Sequence, residues 1–222
     1  MKRQHPFNLI EILLALGVIA IGICSIMVLF PVGANASRDA IMEEYAAASA
    51  EQMLNMINFR LHMYDPGTQS TTKYWNDYIG TTADGGGTLT PAGSARPSDE
   101  DIKSMDINLV LDNASKWSST NSLLGGSALK GNIFSYAPAG SPSNTYFQIV
   151  VHKDGDKDDL SDIDVAKIDF RALGVLWVDK VDFNGTPLPY TMATRLNLEV
   201  SWPVEIPYPS RQKTFYTLEV FK

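Results

Sequence analysis

The chain of 222 residues has one cysteine, Cys24, so no intrachain disulfide can form and cysteine usage does not identify a redox compartment. Its three histidines, His5, His62 and His152, share no ligand spacing, which leaves no basis for a histidine metal site. Positive charge is short as well: 18 Lys and Arg against 25 Asp and Glu give a net charge of −7. The basic patch of a nucleic-acid-binding surface is missing, and no nucleic-acid partner is expected. No nucleophile elbow, HExxH, P-loop, GxGxxG or CxxC pattern occurs, so no enzyme class is indicated.

Charge is scarcest near the N-terminus. From Phe7 to Phe30 the ionisable groups are the Glu11 carboxyl and the Cys24 thiol, and a helix of that length reaches ~36 Å, more than the ~30 Å hydrocarbon core of a bilayer. Lys2 and Arg3 precede it, which holds the N-terminus in the cytoplasm and sends the remainder outward. A carboxylate at bilayer depth is expensive and ordinarily functional, so Glu11 requires a role.

Several kinds of segment share these features. Ala34-Asn35-Ala36 fits the small-x-small rule of a cleaved signal peptide, with Pro31 breaking the helix before it. The apolar region is nevertheless longer than the usual ~7–15 residues and starts with an acid. A lipoprotein cut before Cys24 would need a small residue where Ile23 stands. An uncleaved anchor with Glu11 near the interface needs no special chemistry.

The stretch "FNLIEILLALGVIAIGI" resembles the N-terminus of type IV prepilins and type II secretion pseudopilins. In that family a short basic leader precedes an aromatic residue, a small polar residue, two or three aliphatics and then Glu, followed by a Leu/Ala/Val/Ile helix. Lys2, Arg3, Phe7, Leu9, Ile10 and Glu11 stand in those places; Asn8 replaces the usual Thr or Ser, and Pro6 replaces the glycine normally found before the cut. The resemblance implies a leader over residues 1–6, cleavage by prepilin peptidase between Pro6 and Phe7, N-methylation of Phe7 and a transmembrane helix over 7–30. It also implies that Glu11 acts in assembly, pairing with the terminal amine of a neighbouring subunit. Removing the leader would create an α-amino group on Phe7 one helical turn from Glu11, and such a pair neutralises two charges within lipid.

Pro31 and Gly33 predict a kink or short break between Phe30 and Gly33. Helical patterning then resumes over residues 31–64. Tyr45, Ala46, Ala50, Met53, Leu54, Ile57, Leu61 and Tyr64 form one apolar stripe, opposite Arg38, Glu43, Glu44, Glu51 and Arg60. The alanines 46–48 permit close approach to a sheet, and Asp65-Pro66-Gly67 stops the helix.

Residues 65–222 form the expected extracytoplasmic, β-rich domain. Thr68 to Ser98 is rich in Gly, Thr, Ser, Asp and Pro and reads as a long surface loop, Asp106 to Leu111 as a short strand, and "SSTNSLLGGSALKGN" as a further loop. Thr145–His152 and Phe170–Val178 are strand-like, and Asn184-Gly185 is a hairpin signal. In "TRLNLEVSW", Leu196, Leu198, Val200 and Trp202 alternate with Arg195, Asn197, Glu199 and Ser201, the pattern of a half-buried antiparallel strand. The last strand turns Tyr216, Leu218 and Val220 inward. A long N-terminal helix followed by antiparallel strands is an α+β arrangement. It is also the pilin-like arrangement, in which the first half of the helix spans the membrane and the second half packs on the C-terminal sheet. The stretches "LNLEVSWPVEIP" and "ALGVIAIGICSIMVLFPVGANASRD" also resemble a narrower group of prepilin-like proteins, the Verru_Chthon cassette protein B group.

One acidic run stands apart. "HKDGDKDDLSDIDVAK" places Asp154, Asp156, Asp158 and Asp162 at the first, third, fifth and ninth positions of an EF-hand-like count. That is an oxygen density suited to calcium. Asp159 stands where the loop glycine belongs and Val165 where a bidentate Glu belongs, so a regular EF-hand is not expected. The alternatives are a looser calcium loop and a solvated acidic turn.

The resemblance makes the chain a structural subunit, a minor pilin or pseudopilin of a type IV pilus or type II secretion-like filament, with no cofactor beyond calcium. It is then a single-pass protein of a bacterial inner membrane, N-terminus cytoplasmic and C-terminal domain periplasmic. Its implied partners are membrane lipid, other pilin-like subunits, prepilin peptidase and an inner-membrane assembly platform driven by a cytoplasmic ATPase. The rival expectation is an exported or membrane-anchored binding module whose N-terminus only directs export.

Overall fold

The computed structural model describes residues 9–90, 96–109, 115–119, 121, 123–124, 132–137, 145–153 and 164–222. They fall into two compact units, one ending at Glu44 and the other running from Tyr45 to Lys222.

The first helix, α1, spans Leu9–Leu61 and contains Pro31 without interruption, so the break expected between Phe30 and Gly33 does not occur. Proline removes one amide and the hydrogen bond it would give Met27, yet leaves neighbouring turns their own bonds.

In the second unit the apolar stripe of α1 is buried. Ala46, Ser49, Ala50, Met53, Leu54, Ile57 and Leu61 are all withdrawn from solvent. Tyr64 lies beyond the helix end and is half exposed. The chain turns where the Asp65 carboxylate accepts from Gly67 N–H, Thr68 N–H and Thr68 Oγ1, a local bond set that competes with further helix.

The stretch expected as one long loop contains regular structure: a short helix α2 (Lys73–Tyr78) and a small hairpin of β1 (Gly80–Thr82) and β2 (Gly85–Gly86). Gly87 packs against the Tyr78 backbone so closely that a Cβ there would lie 2.3 Å from its carbonyl carbon. The glycines of this segment therefore serve close packing as well as turning. Of the expected strand Asp106–Leu111, the described residues 106–109 are likewise not a strand. Helix α3 (Asp99–Ser104) continues into a 3₁₀ turn at Met105–Asn108. Its start is a reciprocal cap, in which Ser98 Oγ accepts from Asp101 N–H and the Asp101 carboxylate accepts from Ser98 N–H.

The main sheet has six antiparallel strands in the order β10-β9-β6-β5-β4-β3. These are β3 (Trp117–Ser118), β4 (Ile133–Tyr136), β5 (Tyr146–His152), β6 (Ile168–Asp179), β9 (Ala193–Trp202) and β10 (Gln212–Phe221). Between β6 and β9 lies a small hairpin of β7 (Asp182–Phe183) and β8 (Thr186–Pro187). Asn184 and Gly185 turn it with φ of 52° and 79°, the mirror-image turn that matches strand twist.

Both faces of the sheet are covered. Tyr45 of α1 meets Phe170 at 5.9 Å between ring centroids, and Phe170 meets Trp202 at 6.1 Å; this is the helix side, shared with Leu196, Leu198 and Val200 by alternation. On the opposite side Leu173, Val175 and Val150 pack with Ile102, Met105, Trp117, Phe134, Val204 and Tyr208. That second layer overturns the expectation of a half-buried β9. Asn197, Glu199 and Ser201 are buried along with the apolar set, because the segments around α3 and Tyr208 fold over them. On β10, Val220 is buried and Tyr216 and Leu218 are half-buried, while Phe215, Thr217 and Glu219 are exposed, so its inward set is the one expected.

Candidate functional site

Between Leu9 and Ser37 the sequence has a single charged side chain, Glu11. The structure places it in the first described turn of α1. Every described residue from Leu9 to Ile41 is exposed; Leu9 retains 74% of its surface and Phe30 78%. An apolar face of that extent is not left in water by a folded protein. The helix is long and apolar enough to cross a membrane, with a mean hydropathy of 2.9 over its most apolar window. From Leu9 to Phe30 it reaches ~33 Å, about the hydrocarbon thickness.

Polar groups within this stretch satisfy themselves. Ser25 Oγ donates to Ile21 O at 2.8 Å, one turn back, which removes the need for a partner in lipid. Cys24 is a free, exposed thiol. Glu11 differs, because among the described residues its carboxylate has no hydrogen-bond donor.

Pro6 and Phe7, the expected cleavage and methylation positions, lie outside the described residues, as do Asp154, Asp156, Asp158 and Asp162. The ends of the acidic segment are described. Lys153 N–H donates to Lys167 O at 2.9 Å, and Lys153 Nζ lies 3.4 Å from the Asp169 carboxylate. Among the described residues, no group of three or more His, Cys, Asp or Glu side chains is arranged to hold a metal ion.

The polar centre of the globular unit is one that the sequence pattern did not reveal. Glu199 points from β9 into the covered side of the sheet and is fully buried. Its Oε2 accepts from Arg96 Nε at 2.9 Å and Nη2 at 2.7 Å, and its Oε1 accepts from Tyr208 Oη at 2.6 Å. Arg96 also reaches Asp99 at 2.8 Å, holding that carboxyl below the usual range. Burial, followed by the bond to Glu199, pushes the Tyr208 phenol well above its ordinary value.

Beside it, the buried Arg211 donates to Asp106 Oδ1 at 2.7 Å and to the carbonyls of Val204 and Ile206. Tyr208 N–H donates to Asp106 Oδ2 at 2.9 Å. The Glu199 carboxylate in this network is supplied with donors on both oxygens and withdrawn from solvent. Its effect is to fasten residues 96–109 and 203–211 onto the sheet.

Comparisons of the chain with protein-family models, with curated proteins and with solved structures find no match.

Proposed function

We propose that this protein is a prepilin-like assembly subunit, a minor pilin or pseudopilin. It would wait in a bacterial inner membrane, with its globular unit outside, and be drawn into a type IV pilus or type II secretion-like filament. The observation that carries the proposal is Glu11: one carboxylate, in the first described turn of α1, within an exposed apolar stretch that has no other charge before Arg38. A plain anchor gains nothing from that group and is weakened by it. The α+β architecture supports the same reading, because α1 continues into the globular unit as a core helix of an antiparallel sheet.

The chemistry is packing plus one ion pair. Hydrolysis of the Pro6–Phe7 bond by prepilin peptidase would release the leader and leave a cationic amine on Phe7, which methylation keeps cationic. Glu11 would accept that charge, from its own chain or from the subunit ahead of it. An incoming subunit out of register would leave both charges bare in lipid, so the pair would select the register.

The test is to replace Glu11 by Ala and to sequence the N-terminus of protein extracted from native membranes. The proposal expects a start at Phe7, and an E11A variant that is folded and inserted yet excluded from filaments. A start at Ser37, or E11A entering filaments as the parent does, overturns it.

A further inference from the structure

β10 ends the six-stranded sheet and is paired along one side only. Its ten residues match β9 in unbroken register, from Gln212 against Trp202 to Phe221 against Ala193. No proline or bulge interrupts it. Lys222 N–H donates to Met192 O at 2.9 Å, which sets the parity of the ladder. Even-numbered residues direct their backbone groups to β9 and odd-numbered ones direct theirs away. At one end the outward Phe221 carbonyl lies 2.7 Å from His62 Nε2. The N–H and C=O groups of Lys213, Phe215, Thr217 and Glu219 line the rest of the edge, with no hydrogen-bond partner among the described residues. Natural sheets blunt such edges, because an open one is a template for another strand.

The edge carries the signature of its own occupant. Lys213 and Glu219 lie three residues on either side of Tyr216. In a second copy of β10 laid antiparallel about Tyr216, each Lys213 faces the other copy's Glu219, and each Phe215 faces the other's Thr217. All the outward backbone groups of those four residues then meet outward groups of the mate. A shift of two residues puts Lys213 against Thr217 or Phe221, and a shift of one sets outward groups against inward ones. Both charged ends can accept the contact: Arg195 bonds only Oε1 of Glu219, leaving Oε2, and Lys213 Nζ rests over the Tyr208 ring, 3.5 Å from its centroid. Phe215, 55% exposed and packed edge-on against Trp177 at 6.4 Å, becomes the diagonal neighbour of its counterpart, within aromatic reach.

We infer that β10 is a homotypic docking strand. Two copies of this chain join edge to edge, antiparallel about Tyr216, and merge their sheets into one. The inference rests on the globular unit alone and stands or falls apart from the role of Glu11.

The experiment uses the full chain in detergent micelles, with oligomeric state read by light scattering on a sizing column and folding by circular dichroism. The parent is expected to dimerise at tens of micromolar. T217P removes an outward amide and leaves the β9 bonds intact, and is expected to be monomeric. K213E sets acid against acid and E219K base against base at both ends, each weakening association on the order of tenfold or more. The K213E/E219K double variant regains the dimer, and an equimolar mixture of the two single variants forms a heterodimer, since the acidic edge then faces the basic one. Should T217P misfold, the exposed charge variants decide. A monomeric parent overturns the inference, as does a folded T217P that dimerises like the parent, or a mixture of K213E and E219K that fails to associate.

Discussion

The Tyr208 hydroxyl donates to Glu199 Oε1 at 2.6 Å, joining a 3₁₀ turn at the end of the chain's last loop to a carboxylate at the centre of the sheet. Arg96, 103 residues earlier in the chain, completes the carboxylate's shell. Two distant parts of the sequence thus meet on one buried side chain, and the second layer of the globular unit depends on it.

Removing that carboxylate takes the buried acceptor from the Tyr208 hydroxyl and the buried counter-charge from Arg96, which keeps Asp99 and the Tyr208 oxygen as acceptors. Glu199→Ala is expected to cost about 3–5 kcal/mol, toward the lower end because Arg96 retains some access to water. Glu199→Gln and Tyr208→Phe, which preserve shape, should each cost about 1–3 kcal/mol. Thermal or urea denaturation in detergent checks the order, and a neutral Glu199→Ala would show that the network contributes nothing to stability.

The same bond makes stability depend on alkaline pH. Burial and the bond to Glu199 raise the Tyr208 phenol above its ordinary value of 10.0, so the folded state holds a proton that the unfolded state gives up. Between those two values the unfolded chain binds fewer protons, and stability falls as pH rises. The contribution is complete below about pH 10 and is lost progressively above it. Tyr208→Phe should flatten that decline in melts taken from pH 9 to pH 12; an unchanged slope would assign the decline to other groups.

Ala50 is fully buried where α1 meets the sheet, and Ala48 faces solvent two residues away. Ala50→Leu is expected to cost about 1–3 kcal/mol through overpacking. Ala48→Leu at the exposed position should change stability by about 0.5 kcal/mol or less. A comparison of melting temperatures separates the two, and equal effects would contradict close packing of the helix at Ala50.

Buried residues of α1 begin at Ala46, and the exposed apolar stretch ends before Arg38. A chain shortened to residues 37–222 is therefore expected to fold cooperatively and stay soluble without detergent. Gel filtration and circular dichroism test this; aggregation would mean that the preceding residues also stabilise the globular unit.

Much of the architecture was legible because it is written in short-range patterns. The apolar run without charge, the 3.6-residue stripe from Ala46 to Leu61, the alternation of Leu196, Leu198 and Val200 and the Asn184-Gly185 turn each state a local preference that the fold respects. Helix α3 also has a local signal, since Ser98 three residues before Asp101 forms its reciprocal cap, at the end of a stretch whose Gly and Pro content speaks for loop. Pro31 and Gly33 pointed to a break, yet α1 runs through them, since a proline removes one hydrogen bond of a helix and leaves the neighbouring ones.

The sequence by itself determined α1, β5, β6, β9, β10 and the turn between β7 and β8, the inward faces of α1 and β10, and Glu11 as the lone charge of a membrane-length apolar stretch, because these follow from periodicity and hydropathy within a few residues. Only the tertiary structure decided that β9 is buried on both faces, that Glu199 is a core residue, and that β10 is left at an open edge. Those outcomes depend on partners about a hundred residues apart or on the order of strands in the sheet. A polar residue in an alternating strand reads as solvent-facing until the fold supplies its Arg96 and its Tyr208.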